Sequence, residues 1–156
     1  MEYGIVDTAP QPVLYVRARS RVEDMPQLIG ETYSRIGSYL QSLGEAAAGE
    51  PYTAYHSLDM QDLDVEIGFP TARPLPGKGG IRSGEIPAGR AVSHLYKGNS
   101  AGMEPVYNDI FAWLAKQGEE PTGVYYEYYL NSPAEVPESE LLTRMVIPLK
   151  PRDGAH

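Results

Sequence analysis

The chain has 156 residues, 42% hydrophobic and 22% charged, one domain's worth of ordinary globular composition. Its formal charge of −8 argues against a nucleic-acid-binding surface, which needs clustered Lys and Arg. The absence of cysteine excludes disulfides, thiolate metal sites and cysteine nucleophiles. No basic segment followed by an apolar run opens the chain, and no apolar stretch approaches the ~20 residues of a membrane span. A cytoplasmic protein without a membrane partner is expected. The composition departs from the ordinary in its 12 tyrosines against 2 phenylalanines, an excess of side chains that pair an apolar body with a polar tip.

In chain order, Val13 to Ala18 is a short apolar run that reads as a strand. Asp24-Met25-Pro26-Gln27 reads as a helix start, with Asp24 as the cap and Pro26 in the first turn. Leu28, Ile29, Thr32, Tyr33, Ile36, Leu40 and Leu43 then recur at helical spacing, and Gly44 is the expected terminator. Strands are predicted at Tyr52 to Ser57 and Leu63 to Phe69. In the second, Val65, Ile67 and Phe69 alternate with Asp64, Glu66 and Gly68. The Pro- and Gly-rich stretch 71–80 reads as a linker.

The order then repeats. Strands at Ile81 to Ile86 and Arg90 to Tyr96 flank a Pro87-Ala88-Gly89 turn. A helix over Met103 to Gln117 carries Val106, Ile110, Trp113 and Leu114 on its apolar face and closes at Gly118. A tyrosine-rich strand and a last strand over Leu141 to Ile147 follow, with a loose tail from Pro151. Strand, helix, strand, strand occurs twice. The expectation is an α+β fold of two βαββ repeats, about 1–75 and 81–150, in a single domain. Two such halves make one antiparallel-dominated curved sheet with both helices on one face.

The tyrosine-rich strand carries the candidate chemistry. Around Glu127, alternation sends Tyr125, Glu127 and Tyr129 one way, and Val124, Tyr126, Tyr128 and Leu130 the other. A carboxylate between two phenol rings is a cradle for an organic cation, which the ring faces and the countercharge both attract. The alternative is an exposed Glu on a tyrosine-rich surface, which the residues alone favour because Glu is seldom buried. Tyr55, at a place in the first repeat roughly equivalent to Tyr125, and Tyr96, before Gly98, are further candidate ligand contacts. Trp113 sits on a helical apolar stripe, where core packing is the better reading. Glu66 is a second candidate acid, with a solvated role equally open. The three histidines at 56, 94 and 156 lack metal-ligand spacing, and neither a metal nor a cofactor is expected.

Several pieces together resemble the GyrI-like, or AraC-type, effector-binding domain over nearly the whole length. They are Pro87 to Arg90, Tyr96-Lys97-Gly98, Trp113-Leu114 with Gly118, Glu127 to Pro133, Leu142-Thr143 and Pro148-Leu149, with Asp64 to Pro70 similar to the family's acidic strand. The resemblance implies a pseudo-two-fold relation between the repeats. It also implies a ligand groove on the sheet face away from the helices, with Glu127 at its bottom. Where the family often has an acid, this chain has Arg144, which would blunt a preference for cations if it faced that groove. The length is taken up by the effector domain, so no DNA-binding helix-turn-helix is expected.

The first functional expectation is a free-standing binding protein, a sensor or sink for cationic or amphipathic aromatic small molecules. The second is a hydrolase of electrophilic, cyclopropane-type toxins with Glu127 as general base. The third is an interaction protein similar to a gyrase inhibitor, with a protein partner that the residues do not identify.

Overall fold

Two sets of contacts organise residues 3–152, the part of the chain that the computed structural model describes. Ala9–Ala88 form a first unit, and the segment from Gly89 onward forms a second, together with the N-terminal strand β1 (Gly4–Thr8). The first unit runs β2 (Gln11–Ser20), α1 (Met25–Ser42), β3 (Tyr52–Tyr55), β4 (Leu63–Pro70) and β5 (Arg82–Ile86). Its strands are antiparallel in the order β3-β4-β2-β5. In the second unit, β6 (Gly89–Lys97), α2 (Met103–Lys116), β7 (Tyr125–Tyr129) and β8 (Leu142–Pro148) join β1 in the order β1-β6-β8-β7. The protein is α+β, and each unit contains a β-α-β-β run with one additional outer strand.

Each helix covers one face of its own strands. Under α1 lie Leu14, Ile67, Val65 and Leu63, packed by Met25, Ile36 and Leu40. Under α2 lie Val92, Met145 and Ile147, packed by Ile110 and Leu114. The alternation in β4 explains the choice of face, since its odd-numbered apolar residues turn inward while Asp64 and Glu66 turn the other way. Both helices end as the glycines predict. Gly44 and Gly118 take φ of +68° and +70°, left-handed conformations that cost glycine little. The residue after each is a paired acid. Glu45 meets Arg73 at 2.7 Å, and Glu119 holds Arg90 through both carboxylate oxygens and Arg152 at 3.2 Å.

Three features differ from the sequence reading. Asp24 occupies the cap position of α1 but makes no side-chain cap bond; its carboxylate lies 3.4 Å from Arg21 instead. The 71–80 stretch joins β4 to β5 within the first unit, and its Leu75 is buried beside Ile36 and Ile81. The strand at 82–86 pairs with β2 rather than with its sequence neighbours in the second half. The tail beyond residue 152 lies outside the described residues.

Strand β1 was not apparent in the sequence because Gly4, Asp7 and Thr8 break its apolar pattern. Its anchor is Tyr3. The Tyr3 ring meets His94 and Trp113 edge-on, at centroid distances of 5.1 and 5.6 Å, and its hydroxyl donates to Asp109. Burial, then Asp109, pushes the phenol up to about 12. Replacing Tyr3 by Ala should lower unfolding free energy by about 3 kcal/mol, whereas Phe, which keeps the ring, should cost about 1 kcal/mol. Denaturant melts of both variants check this, and equal costs would place the anchor in the hydroxyl rather than the ring.

Candidate ligand-binding site

Strand β7 places Glu127 opposite Met145 on β8, so its side chain enters the α2-covered face with Thr143, Met145 and Ile147. The carboxyl is buried, with Glu127 only 7% exposed. Tyr107 of α2 donates to Oε2 at 2.7 Å, and Tyr129 donates to Oε1 at 3.2 Å. Tyr125 closes the side, its ring centroid 5.5 Å from that of Phe111 at an interplanar angle of 62° and 6.2 Å from that of Tyr107 at 79°. Among the described residues no cation pairs with Glu127. Its burial therefore pushes the carboxyl above the usual range, and the hydroxyls of Tyr107 and Tyr129 offset this only in part.

The position of Glu127 overturns one expectation. The carboxyl does not lie on the face away from the helix; α2 itself supplies one of its two phenol donors. The reason is register, since Glu127 shares the face of Met145, which is fully buried against Ile110 and Leu114. Arg144 sits one residue along β8 and so projects from the opposite face, exposed, with Nη1 3.4 Å from Ser93 Oγ. It does not reach Glu127.

Of the other candidates, Tyr129 and Tyr125 converge on Glu127. Tyr55 packs in the first unit against the cluster of Met25, Leu63 and Val65; by pairing register it corresponds to Tyr129, not Tyr125. Tyr96 packs against the core of the second unit and donates to the Asn99 carbonyl at 2.7 Å. Trp113 packs on Tyr3, in the core role that its helical stripe suggests. Glu66 turns away from α1, accepts the Tyr52 hydroxyl and lies 3.2 Å from His56 Nε2. Tyr107 and Phe111 were absent from the sequence reading. The Met103, Tyr107, Ile110, Leu114 spacing is itself helical and places Tyr107 on the inward stripe.

Among the described residues no group of three or more His, Asp or Glu could hold a metal ion, and no helix is long and apolar enough to cross a membrane. A separate cleft of about 530 Å3 is lined by Gly118, Glu119, Glu120, Lys150, Pro151 and Arg152. Its charges pair with one another: Glu119 with Arg152, and Glu120 with Lys150 at 3.2 Å.

Helix-covered antiparallel strands around a buried, phenol-bonded carboxyl define an α+β domain with an enclosed polar group. The family model for the GyrI-like small molecule binding domain matches residues 1–150, and the chain belongs to that family. No curated protein sequence matches it. Among solved structures, the EcmrR C-terminal domain is similar at 19% identity and TM-score 0.81, over 96% of this chain and 97% of that one. In the EcmrR–DNA complex the likeness has 20% identity and TM-score 0.83; it covers 96% of this chain but 57% of the EcmrR chain. SAV2435 bound to tetraphenylphosphonium matches over the full length of both chains, at 8% identity and TM-score 0.67. A hydrolase from Listeria innocua matches at 10% identity and TM-score 0.67, over 94% of this chain and 91% of that one. These likenesses show the fold.

The raised proton affinity of Glu127 has a thermodynamic consequence. The fold favours the protonated form, so stability is greatest below the unfolded-state pKa and falls as pH rises through the folded one. Glu127→Gln removes that titration. Thermal melts from about pH 4 to about pH 8 should show the wild type losing stability relative to the Gln variant, by about 1.4 kcal/mol for each tenfold difference in proton affinity. Parallel pH profiles would contradict the burial of an unpaired carboxyl.

Proposed function

We propose that the chain binds aromatic cations, with Glu127 as countercharge and the rings of Tyr125, Tyr129 and Tyr107 as walls. The observation that carries this reading is the buried carboxyl whose two oxygens meet phenols and no cation. Desolvation disfavours its charge, and a cation of low hydration relieves that cost. Ring faces add about 0.5–2 kcal/mol per cation–π contact. Tyrosine faces are indifferent to detailed shape, which suits a site open to varied hydrophobic molecules. The tetraphenylphosphonium held by SAV2435 is a ligand of this chemical kind.

Calorimetry with tetraphenylphosphonium and with neutral triphenylphosphine oxide tests the reading. The cation should bind in the micromolar range and more tightly than the oxide. Loss of one member of a desolvated charge pair costs about 3–5 kcal/mol, so Glu127→Gln should weaken the cation by about 100-fold or more and leave the oxide nearly unchanged. Tyr125→Phe should do little, and Tyr125→Ala should weaken both. Equal losses of both ligands in the Gln variant would remove Glu127 as the reader of charge.

A hydrolytic reading draws on the same group. A carboxyl with raised proton affinity suits a general base, and the hydroxyls of Tyr107 and Tyr129 are placed to stabilise a developing anion. Mass spectrometry of electrophilic cyclopropane-type compounds should then show addition of water, with Glu127→Gln slowing it by about 100-fold or more. Unchanged turnover in that variant would move the base elsewhere, to Glu66 first.

A further inference from the structure

The first unit repeats the backbone and the two tyrosines of the Glu127 arrangement, with a threonine in place of the acid. Thr53 lies opposite Ile67 as Glu127 lies opposite Met145, in strands paired to the same pattern. Tyr33 precedes Ile36 as Tyr107 precedes Ile110, and Tyr55 follows Thr53 as Tyr129 follows Glu127. The tyrosines that hold the carboxyl in one unit thus have counterparts in the other, where a hydroxyl replaces the carboxyl.

That hydroxyl is unusual. Thr53 is fully buried, and among the described residues its Oγ1 has no hydrogen-bond partner. Buried hydroxyls in folded proteins are nearly always bonded, because an unmade bond leaves the desolvation of the group uncompensated. Tyr33 does not serve Thr53; its hydroxyl donates to the Tyr52 carbonyl at 3.3 Å while its ring leans on Phe69 at 5.1 Å. The residues that shield Glu127 are also reduced here. Gly37 stands where the second unit has Phe111, with open space in the direction of a Cβ, and Pro51 stands where it has Tyr125.

We infer that Thr53 Oγ1 is the polar anchor of an uncharged subsite in the first unit, which takes the hydroxyl or carbonyl of a neutral aromatic molecule. A threonine hydroxyl both donates and accepts, so it matches either group without a countercharge. The flanking rings of Tyr33 and Phe69 supply the apolar wall. This subsite is independent of whether Glu127 reads charge.

The test compares β-naphthol with naphthalene on the full chain, by fluorescence titration. The wild type should prefer β-naphthol by about fivefold to tenfold, the worth of one hydrogen bond. Thr53→Val, which keeps the shape, should remove that preference, leave naphthalene within about twofold, and leave tetraphenylphosphonium binding unchanged. Thr53→Ser should retain the preference. Glu127→Gln should retain it too, and its loss there would assign the ligand hydroxyl to Glu127 and overturn the inference. So would undetectable binding of β-naphthol to the wild type. A Val variant that melts higher but binds β-naphthol with undiminished preference would mean that Thr53 meets only a buried water.

Discussion

Burial of the Glu127 carboxyl is the constraint on which the second unit turns. A charge in that position is costly, and the neighbouring side chains are those that lessen the cost without cancelling it. Two phenol hydroxyls donate to it, and aromatic rings exclude water. An Arg in place of Tyr107 would pair with the carboxylate and favour its charge. Two phenol donors offset the desolvation only in part, which costs stability when the group is ionised.

The apolar packing around the acid offsets that cost. Ile110, Leu114, Met145 and Ile147 form a fully buried layer directly beside Glu127, and Tyr3 fastens β1 to the same core. At the end of α2, Glu119 gathers Arg90 and Arg152, which keeps its carboxyl below the usual range, chiefly through the Arg90 hydrogen bonds. The two acids therefore behave oppositely for one reason. Glu119 is buried with cations and favours its charge; Glu127 is buried with phenols and disfavours it.

The two units show how one backbone plan carries different chemistry. Pairing register and helix phase are shared, so the same position on the second strand of each β-α-β-β run is delivered beneath a helix tyrosine. In one unit that position is an acid, in the other a threonine. Glu66 and Arg144 make the same point from the opposite face, since they stand at matching places in β4 and β8 with opposite charge.

Much of this was legible in the sequence. Local patterns marked both helices, their glycine ends and most of the strands, because 3.6-residue and two-residue periodicities are properties of the chain itself. The same alternation put Tyr125, Glu127 and Tyr129 together. What alternation cannot state is which face a helix covers, and for Glu127 that choice decides between a solvated acid and a buried one. Only packing settled it, through the register with Met145 and the arrival of Tyr107 from α2. Packing also drew β1 to β6 and β5 to β2, pairings between segments that no local pattern connects. Periodicity is written in neighbouring residues; burial, and with it the proton affinity of Glu127, depends on residues that meet only after the chain has folded.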